Sequence, residues 1–200
     1  MGCLSEALGM SLPGSALIPA VYGERLRSSF MAGRAIVDMV NKGITARKII
    51  TKESIRNAIK VTMATCGSTN AVLHCSAIAN EAELGMDVVR GFATLNKTTP
   101  QIAKVNPAAK WDMEDFYKAG GIPRVMQRLG DILDTSLITC TGKTVKENLE
   151  EYKFAYPENP EIIKTVEEPF SHTGGVAVLE GNLAPHTAIS KPGAIDPSLH

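Results

Sequence analysis

The chain has 200 residues, 21 basic against 21 acidic side chains, 44% hydrophobic and 5% aromatic residues. Balanced charge offers no footprint for nucleic acid, no stretch reaches the roughly 20 apolar residues that span a bilayer, and the N-terminus lacks the regions of a secretory signal. Its four cysteines have no paired spacing and do not read as a disulfide scaffold, so composition predicts a soluble, cytoplasmic globular protein and leaves the chemistry open.

Residues 1–8 read as helix, with Leu4, Ala7 and Leu8 at helical spacing, ended by Gly9 and Pro13-Gly14. No lead-in or capping residue precedes it, which predicts that upstream sequence is missing. Residues 24–41 form the clearest amphipathic pattern, with Leu26, Phe30, Ala32, Gly33, Ile36, Val37 and Val40 as the apolar stripe. Thr51 is a good N-cap for a second helix carrying Ile55, Ala58, Ile59 and Met63 on one face. After a break at Gly67-Ser68-Thr69-Asn70, residues 71–84 are apolar around most of the circumference, which predicts a helix in the middle of the core.

Further along, Asp112 caps a helix over 113–119, Pro123 starts a short helix to Leu129, and 144–152 form one more. The stretch 156–169 is rich in Pro and Glu and reads as an interdomain linker. Beyond it the pattern changes to short strands at 176–179 and 187–189, with too few residues to close a second core. Both ends therefore read as cut.

The most informative local feature is Cys66-Gly67-Ser68-Thr69-Asn70, which opens a helix. A helix N-terminus carries unpaired N–H groups and partial positive charge, so this turn suits a carboxylate or phosphate. Plain capping by Ser68 or Thr69, with Asn70 bonding backbone, explains the same residues. His74 reads as a hydrogen-bonded core histidine or a base. Cys66 reads as a packed residue or, beside the helix start, a thiol of depressed pKa. Thr141-Gly142-Lys143-Thr144 resembles the end of a phosphate loop, but Leu137 stands where the first glycine is needed. The acidic pairs Glu81/Glu83, Glu114/Asp115 and Glu150/Glu151 read as solvated faces, as do Arg25 and Arg27.

Five blocks, in order, resemble the dihydroxy-acid dehydratase family, which also contains phosphogluconate and other sugar-acid dehydratases. They are the run from Cys3 to Ser15 (CLSEALGMSLPGS), Gly67 to His74 (GSTNAVLH), Ala119 to Pro123 (AGGIP), Thr141 to Leu149 (TGKTVKENL) and Gly174 to Pro185 (GGVAVLEGNLAP). The resemblance implies an α/β fold: residues 1–165 as the later, helix-rich part of an N-terminal α/β domain, 166–173 as a linker, and 174–200 as the first strands of a β-barrel-like C-terminal domain. Relatives are several-fold longer, so the chain is expected to be an internal fragment.

The implied reaction removes water from a 2,3-dihydroxy acid to give a 2-oxo acid. The implied cofactors are an iron–sulfur cluster, Lewis acid for the leaving hydroxyl, and Mg²⁺, holding the carboxylate and 2-hydroxyl. The resemblance places the cluster cysteines and most Mg²⁺ ligands upstream of this segment and the proposed serine base downstream, so no catalytic or metal-binding residue is expected here. Gly67, Ser68, Thr69 and Asn70 remain the candidates near substrate or cofactor, with Lys143 a weaker one. Cys66 stands where many relatives have glycine, and His186-Thr187 where relatives more often have Asp-Gly, which leaves the subfamily open. The expected function is valine and isoleucine biosynthesis by a homo-oligomer acting on a small dihydroxy acid. A sugar-acid dehydratase and a degenerate, non-catalytic product are the alternatives.

Overall fold

A computed structural model describes residues 1–195. Its centre is helix α4, Lys52–Ala64. The Thr51 hydroxyl accepts the Ser54 N–H at 3.1 Å, and the Ser54 hydroxyl accepts the Thr51 N–H at 2.8 Å, which satisfies two backbone donors at the helix start. Ile55, Ala58, Ile59 and Met63 recur at helical spacing and are completely shielded from solvent.

Around α4 pack α1 (Gly2–Ala7), α5 (Asn70–Glu81), α6 (Val88–Leu95) and α8 (Gly121–Leu129). Helix α7 (Met113–Lys118) abuts α8 on one side, and α9 (Val145–Glu151) contacts it through the next layer. Phe92, Phe116, Ile102 and Ile122 fill the space between these helices. The side chain of Asn57 pins a distant loop, donating to the Asp134 carbonyl at 2.8 Å and accepting its N–H at 3.0 Å.

The strands β1 (Ala177–Gly181) and β2 (Ala184–Ser190) form one antiparallel hairpin, with Ala177 opposite Ser190 and Val178 opposite Ile189. β1 lies against α6. The fold is thus mixed helix and sheet, as an α/β reading expects, and its described strands make this single two-stranded sheet. Among the described residues no helix is long and apolar enough to cross a membrane.

Two local expectations change. Helix α5 is only half covered: Ala71, Val72, Cys75 and Ala79 face inward, while Leu73 is 68% exposed and His74 is exposed as well. Small inward residues let α5 approach α4 closely, and its larger side chains then point outward. His74 is therefore neither a core histidine nor a buried base. Helix α2 (Gly23–Asn41) forms where expected, but its apolar stripe faces solvent: Leu26 is 78% exposed and Val40 72%. It rests on the body through Met39, which is buried, and the half-buried Ser28 and Ala35.

The Pro- and Glu-rich stretch is held against the body. Ile162 and Ile163 are buried, Lys164 donates its N–H to the Ile102 carbonyl at 2.8 Å, and Lys104 donates to Ile162 at 3.2 Å. The chain then crosses the end of α4, where Gly174 and Gly175 donate to the carbonyls of Asn96 (2.8 Å) and Met63 (2.9 Å). A Cβ at Gly175 would lie 2.5 Å from that of Cys66, so only glycine permits this crossing.

Candidate functional site

The site is built where α4 ends and α5 begins. The Thr65 hydroxyl donates to the Val61 carbonyl at 2.8 Å and closes the last turn of α4. Cys66 adopts a positive φ of 48°, which reverses the chain, and Gly67 donates its N–H back to the Thr62 carbonyl at 2.9 Å. A left-handed conformation is costly for a residue with a side chain. It is held here by close packing and by the Cys66 thiol, which donates to the Gly175 carbonyl at 3.3 Å. The Ser68 hydroxyl accepts the Asn70 N–H at 3.2 Å, so Ser68 supplies the local cap that the sequence admits. The Thr69 side chain makes no capping bond.

This turn forms one wall of a solvent-open cavity of about 460 Å³. Gly67, Ser68 and Thr69 line it together with Cys3 from α1, Asn106 and Lys191. Three of the four predicted residues are thus brought to one wall. Asn70 is not among the lining residues, and its position at the first turn of α5 is exposed. Lys191, just past β2, adds a cation that no local pattern marks, because the hairpin alone carries it here. Burial pushes the Cys66 thiol up, and the ammonium groups of Lys191 and Lys104 only partly offset that. The depressed-pKa reading of Cys66 is therefore corrected: burial outweighs the helix start and the lysines, and the thiol is protonated and packed. The first N–H groups of α5 are taken up within the turn, Asn70 by the Ser68 hydroxyl, Ala71 by the Ser68 carbonyl and Val72 by the Thr69 carbonyl. What the wall offers an anionic group is therefore the hydroxyl side chains of Ser68 and Thr69 and the Lys191 ammonium.

The phosphate-loop-like run lies elsewhere and folds as a tight turn. Gly142 donates to the Thr139 carbonyl at 2.9 Å, Thr139 donates to Lys143 at 2.9 Å, and Thr144 caps α9. The Lys143 ammonium is paired with Glu151 at the surface. Glu114 is likewise paired with Lys118, and Glu150 with Lys146.

One buried acid escapes sequence reasoning. Glu6 sits on the inner face of α1, and its two carboxylate oxygens accept the N–H groups of Gly14 (2.6 Å) and Ala16 (3.0 Å). Burial raises its pKa to about 7 despite these hydrogen bonds. A carboxylate beside Leu4, Ala7 and Leu8 on a short apolar helix is the signal that points to it.

The donor chemistry bears on the metal groups that the resemblance implies. Cys3, Cys66, Cys75 and Cys140 are free, and burial raises all four thiols, Cys75 to about 12 and Cys140 to about 11. Metal ligation needs thiolates or clustered carboxylates and imidazoles. Among the described residues no three such side chains gather. These residues do not fit an iron–sulfur cluster or a Mg²⁺ ion.

Comparison with known proteins places the chain. Residues 1–148 match the model of the dihydroxy-acid/6-phosphogluconate dehydratase N-terminal domain, and 161–200 match the C-terminal one. A dihydroxy-acid dehydratase of Lachnospira eligens is 48% identical over 100% of this chain and 35% of its own length. That of Agathobacter rectalis is 50% identical over 98% of this chain and 34% of its own. That of Methanococcoides burtonii is 45% identical over 98% and 35%. The chain spans about a third of the length of these curated relatives. The order of its blocks, the turn between α4 and α5, and two family models that together cover most of its length make the chain a member of the dihydroxy-acid/6-phosphogluconate dehydratase family.

Proposed function

We propose that this stretch works within a cytoplasmic, homo-oligomeric dehydratase of the relatives' length, most directly a dihydroxy-acid dehydratase of valine and isoleucine biosynthesis. The reaction takes the C2 proton and the C3 hydroxide from a 2,3-dihydroxy acid as water, and the resulting enol tautomerises to a 2-oxo acid. In this reading the iron–sulfur cluster, Mg²⁺ and the base belong to other parts of the polypeptide. A closed C-terminal barrel is likewise completed by them.

The role proposed for this chain is to present the anion-receiving wall. Ser68 and Thr69 bring hydroxyl side chains to the cavity at the positive end of α5, and Lys191 adds a full charge, so a substrate carboxylate or a nearby anionic group is favoured there. Asn70 supports the turn through its N–H on Ser68. The observation that carries the reading is the meeting of this turn with Lys191 on one cavity of about 460 Å³.

The test uses the full-length enzyme, assayed for 2-oxo acid from dihydroxyisovalerate and from aldonates. Turnover of dihydroxyisovalerate supports the first reading, and turnover of aldonates alone replaces it with a sugar-acid dehydratase. Lys191→Met is expected to raise KM by about 10-fold or more, the scale of one charge-assisted contact. Unchanged kinetics would return Lys191 and the turn to structural roles.

A further inference from the structure

The two ends of the β1–β2 hairpin are seated on the body in different ways, and both meet Cys66. Before β1 the chain is fixed by hydrogen bonds. Gly175 donates its N–H to the Met63 carbonyl at 2.9 Å, and the Asn96 amide donates to the carbonyls of Gly174 (2.8 Å) and Val176 (2.6 Å). After β2 the chain turns on itself, with Ala194 donating to the Lys191 carbonyl at 2.9 Å and Ile195 to that of Pro192 at 3.1 Å. Among the described residues, no backbone hydrogen bond ties this return segment to the helices. Close packing seats it instead. A Cβ added at Gly193 would lie 2.9 Å from the Cys66 Sγ and would collide with the side-chain oxygen of the buried Gln101. The same Cys66 thiol donates to the Gly175 carbonyl at 3.3 Å, so one side chain touches the backbone at both ends of the hairpin. Lys191 stands two residues before Gly193, and its ammonium is near enough to act on the Cys66 thiol.

We infer that Cys66 is a positioning residue: its side chain is the spacer between the α4–α5 turn and the return of the hairpin, and it sets where the Lys191 ammonium stands beside Ser68 and Thr69. The backbone supports this role. At a φ of 48° glycine would serve the turn with less strain, so the turn alone gives no reason for a side chain at this position. The Cβ and sulfur of Cys66 fill the space between Gly175 and Gly193. A larger side chain has no room there, and a bare glycine leaves the Lys191 end of the hairpin without half of its seat. The kinetic consequence rests on the anion-receiving role proposed above, whereas the placement of Lys191 does not.

Two measurements on the full-length enzyme test it. Acetic anhydride labelling, quantified residue by residue by mass spectrometry, reads the placement of Lys191, and KM and kcat for dihydroxyisovalerate read its use. Cys66→Gly is expected to raise the labelling rate of Lys191 by about 3-fold or more, with the exposed Lys52 and Lys110 unchanged. It should raise KM by about 5-fold and leave kcat nearly constant. Cys66→Ser, which keeps a donor and most of the volume, should bring both readings within about 2-fold of those with Cys66. Gly193→Ala, which leaves the α4–α5 turn untouched, should act as Cys66→Gly does and decides the matter where that variant disturbs the turn. In a Lys191→Met background, Cys66→Gly should add less than about 2-fold to KM, because residues that act through one another are not additive. Unchanged labelling of Lys191 in Cys66→Gly and Gly193→Ala overturns the inference. A KM cost of Cys66→Gly that is the same with and without Lys191 overturns it equally. Altered labelling together with a Lys191→Met enzyme of unchanged KM upholds the placement and overturns the anion-receiving role instead.

Discussion

Helix α4 sets Ile55, Ala58, Ile59 and Met63 along one face, and all four are closed off from solvent, whereas α2 sets Leu26, Phe30, Val37 and Val40 along one face, and all four are exposed. Both patterns have helical period, and both segments are helical where periodicity predicts. Their ends differ: α4 begins with reciprocal Thr51–Ser54 bonds, whereas Tyr22 at the start of α2 offers no side-chain cap. Periodicity therefore states which side of a helix is apolar and says nothing of what that side meets. α4 meets four helices of its own chain, while α2 touches the body along the opposite side.

The largest test of this contrast is a matched pair of truncations. Ile59→Ala should cost about 4 kcal/mol of unfolding free energy, from lost burial and a residual cavity at the centre of the core. Val37→Ala should change stability by less than about 0.5 kcal/mol. Urea unfolding of both variants checks this, and similar costs would mean that the α2 stripe is already covered within the monomer.

Next in size is the buried acid of α1. Glu6 has a folded pKa of about 7 against an ordinary value of 4.5, so the folded state holds its proton more tightly than the unfolded one. The stabilisation linked to this proton is complete below about pH 4.5 and is lost as pH rises through 7, on the order of 3 kcal/mol in all. Glu6→Gln should flatten that decline in a pH series of unfolding midpoints. An unchanged slope would show that the decline belongs to other groups.

The smallest effect is at the helix starts. Thr51→Ala should cost about 1 kcal/mol by freeing the Ser54 N–H. Tyr22→Ser, which supplies a capping hydroxyl to α2 but removes the Tyr22 hydrogen bond to Glu114 and its edge contact with Tyr117, should change stability by less than that. Equal and opposite changes would mean that α2 is as tightly coupled to the body as α4.

Much of this architecture is legible in the amino-acid sequence itself. Thr51, Asp112 and Thr144 mark helix starts because a capping side chain acts on N–H groups two or three residues away, wholly within the local chain. The Gly67–Thr69 turn is legible for the same reason, as a polar helix opening. The hairpin is legible from its short apolar runs. Other features are not. The apolar composition of α5 points to full enclosure, yet only its small residues fit against α4. The prolines of 156–169 mark a break in the pattern but give no sign that Ile162 and Ile163 are drawn into the core beside Ile102 and Ala103.

What the 200 residues establish alone is most of the helices, though not α6 with its Asp87 cap, the caps at Thr51, Asp112 and Thr144, the polar turn after Cys66 and, through five ordered blocks, the family. Tertiary structure decided that Lys191 lines the same cavity as Ser68, that Glu6 is sealed beneath the loop it anchors, and that one of two similar apolar stripes became a core while the other stayed open. The division follows the range of the forces involved. Backbone hydrogen bonds and caps are settled within a turn or two. Burial, charge proximity and pKa depend on residues far apart in sequence, which only the folded chain brings together.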